Sequence, residues 1–197
     1  TNYHVIEGAS SAVIRTSTGE QFGVKGVYDY SEELDLALLQ IDGSGFAYLE
    51  IGDSKNLSTG ATIYTIGSPL GLENTMSVGI ISNANRILDG SRFIQISAPI
   101  SPGSSGGALL NTAGKVIGIT SALFVQGQNL NLAIPIDLIA NLDQNSGMVQ
   151  LSSLMPAAKL TMDKDMVSIE RGKSAVIMIS ENVSEYITIQ FTVRDSS

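Results

Sequence analysis

Cysteine and tryptophan are absent from this 197-residue chain, and histidine occurs once, at His4. Without cysteine there are no disulfides and no thiol nucleophile, and folding does not depend on redox conditions. One histidine and no cysteine cannot supply the usual ligand sets of a zinc centre, so no metal site is expected. Basic residues are also scarce. Lys and Arg total 11 against 19 Asp and Glu, a formal net charge of −8 with a pI near 4.5. A surface of that sign repels phosphate backbones and anionic headgroups, which argues against nucleic acid and acidic membranes as partners. No apolar run approaches the ~20 residues that a membrane-spanning helix needs. Hydrophobic residues nevertheless make up 43% of the chain, enough for one large domain and a smaller unit.

The apolar residues fall in short runs. Residues 12–16 and 21–27 flank Ser17-Thr18-Gly19-Glu20, whose turn chemistry predicts a β-hairpin. Residues 36–41 form a near-continuous apolar strand, and 62–66, 77–82, 93–96, 116–120 and 129–134 follow, each bounded by Gly, Pro, Asn or Ser. Many short strands so punctuated indicate an all-β sandwich or closed barrel. Pro135 then opens a segment over 136–142 that is apolar at helical spacing, which predicts a short amphipathic helix.

Gly103-Ser104-Ser105-Gly106-Gly107 carries the most chemical content. A serine in a tight glycine turn between apolar runs is how an exposed nucleophile is commonly held. The glycines let the backbone double back, and the amides of Gly103 and Ser105 can point at an oxygen anion. The same composition also makes ordinary hairpin connectors. Upstream, Asp35 lies in the apolar run Leu34-Asp35-Leu36-Ala37-Leu38-Leu39, where a buried, unpaired carboxylate would be costly. Taken singly, His4 reads equally as a packed or surface residue, and Asp35 as a cap or an edge-strand charge. Serine hydrolysis, however, needs a base for the hydroxyl proton and a carboxylate that orients the base and stabilises its cation. His4, Asp35, Ser105 is the chain order of chymotrypsin-type proteases.

On these motifs the chain resembles the HtrA/Deg-like branch of the trypsin-like serine proteases. Thr1-Asn2-Tyr3-His4-Val5-Ile6 resembles the histidine motif of that branch, and Leu34 to Leu39 its aspartate motif. Ile100-Ser101-Pro102-Gly103-Ser104-Ser105-Gly106-Gly107-Ala108-Leu109 resembles its nucleophile motif, with Ser104 where asparagine is more common. Gly67-Ser68-Pro69-Leu70-Gly71-Leu72, Gly79-Ile80-Ile81-Ser82 and Leu132-Ala133-Ile134-Pro135 match further landmarks in register.

The resemblance covers residues 1 to about 145. It implies an all-β, trypsin-like double β-barrel with the cleft between barrels, no cofactor, polypeptide substrates and an extracytoplasmic bacterial setting. It further implies His4 as general base, Asp35 as its orienting carboxylate, Ser105 as nucleophile, and an oxyanion hole from Gly103 and Ser105. The primary specificity pocket would be walled by Ile100, Ser121, Ala122, Leu123, Leu132 and Ala133. None of these is charged. An uncharged pocket cannot offset the desolvation of Lys or Arg, so small or medium apolar side chains are expected before the scissile bond.

The chain departs from the family at both ends. Family members carry strands ahead of the histidine motif, with no counterpart before Thr1. The first barrel is therefore expected to lack its N-terminal strands, leaving unpaired edges and His4 near a fraying end. Such a chain is expected to be inactive or nearly so until a segment that supplies the strands is added, and to associate with itself or with that segment. The domain reading is a truncated protease domain over 1–147, a linker over 148–159, and a β extension or partial immunoglobulin-like domain over 160–197. There, 166–170, 175–180 and 185–193 read as strands, the last alternating almost perfectly. They resemble, weakly, the opening strands of a bacterial immunoglobulin-like domain, and no PDZ-type carboxylate-binding loop is found. Two function classes remain open: a serine endopeptidase, and a non-catalytic protease-like module that binds peptides or an envelope partner.

Overall fold

Alternating, β-branched runs produce strands along most of the chain. The computed structural model describes residues 1–16, 18–67, 75–121, 131–154, 180–181 and 187–191. A one-turn helix α1 (Tyr3–Ile6) precedes the strands β1 (Ala12–Arg15), β2 (Gln21–Ser31) and β3 (Leu36–Ile41). Next come β4 (Thr62–Gly67), β5 (Thr75–Leu88), β6 (Ser91–Ile96), β7 (Ala108–Leu110), β8 (Val116–Ser121) and β9 (Asn131–Pro135). Two further strands, β10 (Ser180–Glu181) and β11 (Ile187–Phe191), lie near the end of the chain.

The second layer is a closed barrel in the order β4-β5-β6-β9-β8-β7. Its interior is filled by β-branched side chains. Ile63, Ile81, Ile94, Ile96 and Ile117 form one cluster with Leu109 and Ala133. The first layer is a five-stranded sheet in the order β10-β11-β1-β2-β3. β1 and β2 form the expected hairpin, in register from Val13↔Gly23 to Arg15↔Gln21. The edge of β1 away from β2 carries β11 in antiparallel register from Ala12↔Phe191 to Arg15↔Thr188.

Val5, Ile6, Ile14, Val27 and Ala37 form the core beneath this sheet, together with Leu151 and Leu154. The latter two sit on a 3-10 turn, Leu151–Leu154. Just before it, Val149 exchanges backbone hydrogen bonds with Val27 at 2.8 and 2.9 Å. The stretch read from sequence as the start of a linker is therefore packed into the first core. Between the layers, Leu36 of β3 packs with Phe93, Leu132, Ile134 and Leu142, so one apolar seam joins sheet to barrel.

Two elements differ from the sequence expectation. The amphipathic helix expected over 136–142 is a 3-10 helix, Ile136–Asn141, with only Ile136 of its residues buried. So short a segment gains little from α-helical hydrogen bonds and takes the tighter form. The strand expected over 77–82 runs on to Leu88, because its polar half pairs with β6 through two bulges. Arg86 and Gln95 join across that pair at 3.0 and 2.7 Å. The two strands are closed by Asp89 and Gly90, both at positive φ (49° and 84°), the Asp-Gly chemistry of a tight hairpin.

Candidate active site

His4 is held from both sides of its helix. Val5 and Ile6, the next two residues, are 1% and 0% exposed in the first core. Thr1 pairs with β3: its amino group donates to Ala37 O at 3.1 Å and its carbonyl accepts from Ala37 N–H at 2.9 Å. The Tyr3 ring stacks on Tyr30 with centroids 5.1 Å apart. Burial and a hydrogen bond to the Glu32 carboxylate push the Tyr3 phenol up to about 12. The segment expected to fray carries these contacts. The burial of Val5 and Ile6 and the two bonds to β3 anchor the segment.

Asp35 ends the turn between β2 and β3 with φ at 51°. A left-handed residue costs roughly 1–2 kcal/mol, and aspartate is among the few side chains that tolerate it. Its carboxylate accepts the His4 backbone N–H at 3.0 Å through Oδ1. The His4 Nδ1 lies 2.9 Å from Oδ1 and 2.8 Å from Oδ2. An ionised carboxylate only accepts, so this contact calls for a proton on Nδ1 and leaves the lone pair of neutral imidazole on Nε2. That is the tautomer a base acting through Nε2 requires. The Ser121 hydroxyl donates to Oδ2 at 3.2 Å.

The glycine-rich turn is built by backbone contacts that side chains would block. Gly103 has φ 95°. A Cβ on Gly107 would lie 2.2 Å from Ile66 O, so only glycine lets the turn press against β4. Ser104 N–H donates to Ser101 O, Gly106 N–H to Thr120 O and Gly107 N–H to Ser104 O, at 2.9, 2.9 and 3.2 Å. Ser105 itself is 5% exposed.

β8 ties the two halves together through consecutive residues. Thr120 Oγ1 donates to Ser104 O at 2.5 Å and also lies 3.2 Å from Gly107 O, which fixes the serine turn. Ser121, next along the strand and so on the opposite face, reaches Asp35. Neither bond was legible from the sequence, which placed Ser121 in a pocket wall; its buried hydroxyl is committed to the carboxylate. Asn2 was missed as well. It is fully buried, and its side-chain amide donates to Asp35 O at 2.9 Å.

Of the other expected pocket residues, those described lie in the cores. Ile100 and Ala133 lie in the barrel cluster and Leu132 in the seam between layers, all buried. Ala122 and Leu123 lie outside the described residues. A cavity of about 300 Å³ opens beside Asp35, lined by Glu32, Glu33, Asp89, Arg92, Phe93 and Leu138 among others. Among the described residues no group of three or more His, Asp or Glu could hold a metal ion, and no helix is long and apolar enough to cross a membrane.

A closed six-stranded barrel packed on an antiparallel sheet is the all-β architecture of trypsin-like proteins. The family profile described as "Trypsin-like peptidase domain" matches residues 1–119, and the chain belongs to that family. It is similar to the "Putative serine protease HhoB" of Synechocystis, 40% identical over 152 residues, which span 74% of this chain and 36% of that protein. It is also similar to the "Probable periplasmic serine endoprotease DegP-like" of Halomonas elongata, 38% identical over 76% of this chain and 33% of that protein. Among solved structures, the HtrA-type protease AlgW with tripeptide matches at a TM-score of 0.67 and 36% identity, covering 72% of this chain and 49% of that one. The chain thus spans about a third of the length of these curated relatives.

Proposed function

We propose that this chain is the catalytic unit of an HtrA-like serine endopeptidase that hydrolyses polypeptides through an acyl-enzyme. The observation that carries the reading is the 2.8 Å contact of His4 Nδ1 with the Asp35 carboxylate, in a chain whose relatives are named serine proteases. In this mechanism Nε2 of neutral His4 takes the Ser105 hydroxyl proton as Oγ attacks the scissile carbonyl. Asp35 holds the imidazole in that tautomer and stabilises the imidazolium that forms. His4 then returns the proton to the leaving amine, and water repeats the sequence on the acyl-enzyme. The amides of Gly103 and Ser105 receive the oxyanion, each donor contributing on the order of 2.7–4 kcal/mol. No step calls on a cofactor.

The preference proposed for Val, Ala, Ile or Leu before the cleaved bond rests on the family resemblance and on the absence of charge in the segments at Ile100, Ser121 to Leu123, and Leu132-Ala133. The burial of Ile100, Leu132 and Ala133 and the bond of Ser121 to Asp35 do not add to it. A peptide-library profile dominated by Lys or Arg would remove that preference. The setting proposed is extracytoplasmic, as the names of the DegP-like relatives state for those proteins. Residues 1–147 form the protease unit in this reading, and 160–197 a β extension without chemistry of its own.

A serine-directed fluorophosphonate tests the function directly. Covalent label on Ser105, abolished by Ser105→Ala and largely kept by Ser104→Ala, is the expected result, with casein hydrolysis following the same order. Equal loss in the two variants would show the register of the serine motif to be wrong. No label on folded protein that also carries the strands expected ahead of His4 would favour the peptide-binding module.

A further inference from the structure

We infer that Asn2 is a positioning residue for Asp35, acting through the aspartate's backbone. The inference rests on the triad reading above. Asp35 is held in the left-handed region, at φ 51°, and its carboxylate faces His4 only while the backbone stays there. Its N–H donates to Glu32 O at 3.2 Å and its carbonyl accepts from Asn2 Nδ2 at 2.9 Å. Both peptide groups flanking the strained Cα are thereby pinned. Two residues further along the same segment, His4 supplies the backbone N–H and the ring nitrogen that meet the carboxylate. Residues 2 to 4 therefore grip Asp35 at its carbonyl and at its side chain, and this fixes the base against its partner.

The chemistry of Asn2 argues for that role over simple packing. Asn2 is 0% exposed. Its Oδ1 is buried with no hydrogen-bond partner among the described residues, a cost that a leucine of similar volume would avoid. Packing alone does not favour an amide here. The donor half of the amide does, because without it the Asp35 carbonyl loses its partner and the turn relaxes toward ordinary backbone angles.

The single histidine makes the test clean, since its Nδ1–H gives one resonance in a protein labelled with ¹⁵N in the imidazole. Asn2→Leu is expected to shift or broaden that resonance and to lower the rate of fluorophosphonate labelling and kcat at least tenfold, with KM nearly unchanged. In an Asp35→Ala background the same substitution should cost less than twofold, because its route of action is already gone. An unchanged Nδ1–H resonance overturns the inference. So does an equal loss in the Asp35→Ala background, which would mark Asn2 as a packing residue. Asp35→Ala alone leaving the rate intact would instead overturn the triad reading. If Asn2→Leu does not fold, Asn2→Ala is judged by the same resonance, which needs no activity.

Discussion

Replacing Thr120 with valine removes one hydroxyl and almost no volume, and so isolates what β8 does for the serine turn. Thr120 is 1% exposed, and its Oγ1 donates to Ser104 O at 2.5 Å. In the variant Ser104 O keeps the Gly107 N–H at 3.2 Å, and Gly107 O keeps the Thr120 backbone N–H at 2.9 Å. Neither acceptor is fully orphaned. The loss therefore falls in the lower part of the 1–3 kcal/mol range for a buried hydrogen bond, about 1–1.5 kcal/mol. For a chain of this size that is a fall in Tm of about 2–6 °C. Even a domain stable by only ~5 kcal/mol would stay more than about 99% folded at 25 °C after such a loss. A fall in fluorophosphonate labelling at that temperature would therefore report geometry and not unfolding. With its carbonyl tether gone the turn is free to shift, and a displacement of ~1 Å can cost up to about a hundredfold, so a tenfold or greater fall is expected. Labelling within twofold of wild type, with Tm reduced as calculated, would refute the claim that Thr120 positions Ser105.

Two further outcomes follow from the same coordinates. Burial works against the Asp137 carboxylate, but hydrogen bonds from Arg92 at 2.5 Å and from Ser54 outweigh it and hold its pKa below the ordinary value; Asp137→Asn should cost about 2 kcal/mol at pH 7 in urea denaturation. A depressed carboxylate stabilises the fold above its unfolded pKa, near 4, and loses that contribution as pH falls through the folded value. The gap between wild type and Asp137→Asn should accordingly shrink below about pH 4, and a constant gap would count against the ion pair. Gly107→Ala would drive a Cβ to 2.2 Å from Ile66 O, so loss of soluble folded protein or a penalty above about 3 kcal/mol is expected, and a wild-type Tm would contradict the close packing of the turn on β4.

The sequence by itself determined the strand runs and the all-β class, and it singled out His4, Asp35 and Ser105 as the candidate triad. These are local signals: period-2 apolar patterning, glycine turns, and residue types whose chemistry is rare in an apolar context. It also showed the β1–β2 hairpin, because Thr18-Gly19 carries its own turn chemistry. Other features were settled by contacts distant in sequence. Thr120 and Ser121 look alike as polar ends of an apolar strand, yet the pleat sends one to the serine turn and the other to Asp35, 86 residues away. Asn2 reads as a polar neighbour of His4 until β3 brings the carbonyl of Asp35, 33 residues on, within 2.9 Å. The anchoring of His4 came from the same source, since burial of Val5 and Ile6 depends on Leu151 and Leu154 completing the core above them. A local pattern can say which face of a strand is buried, but not which distant group waits on that face; closure of sheet and barrel decides that.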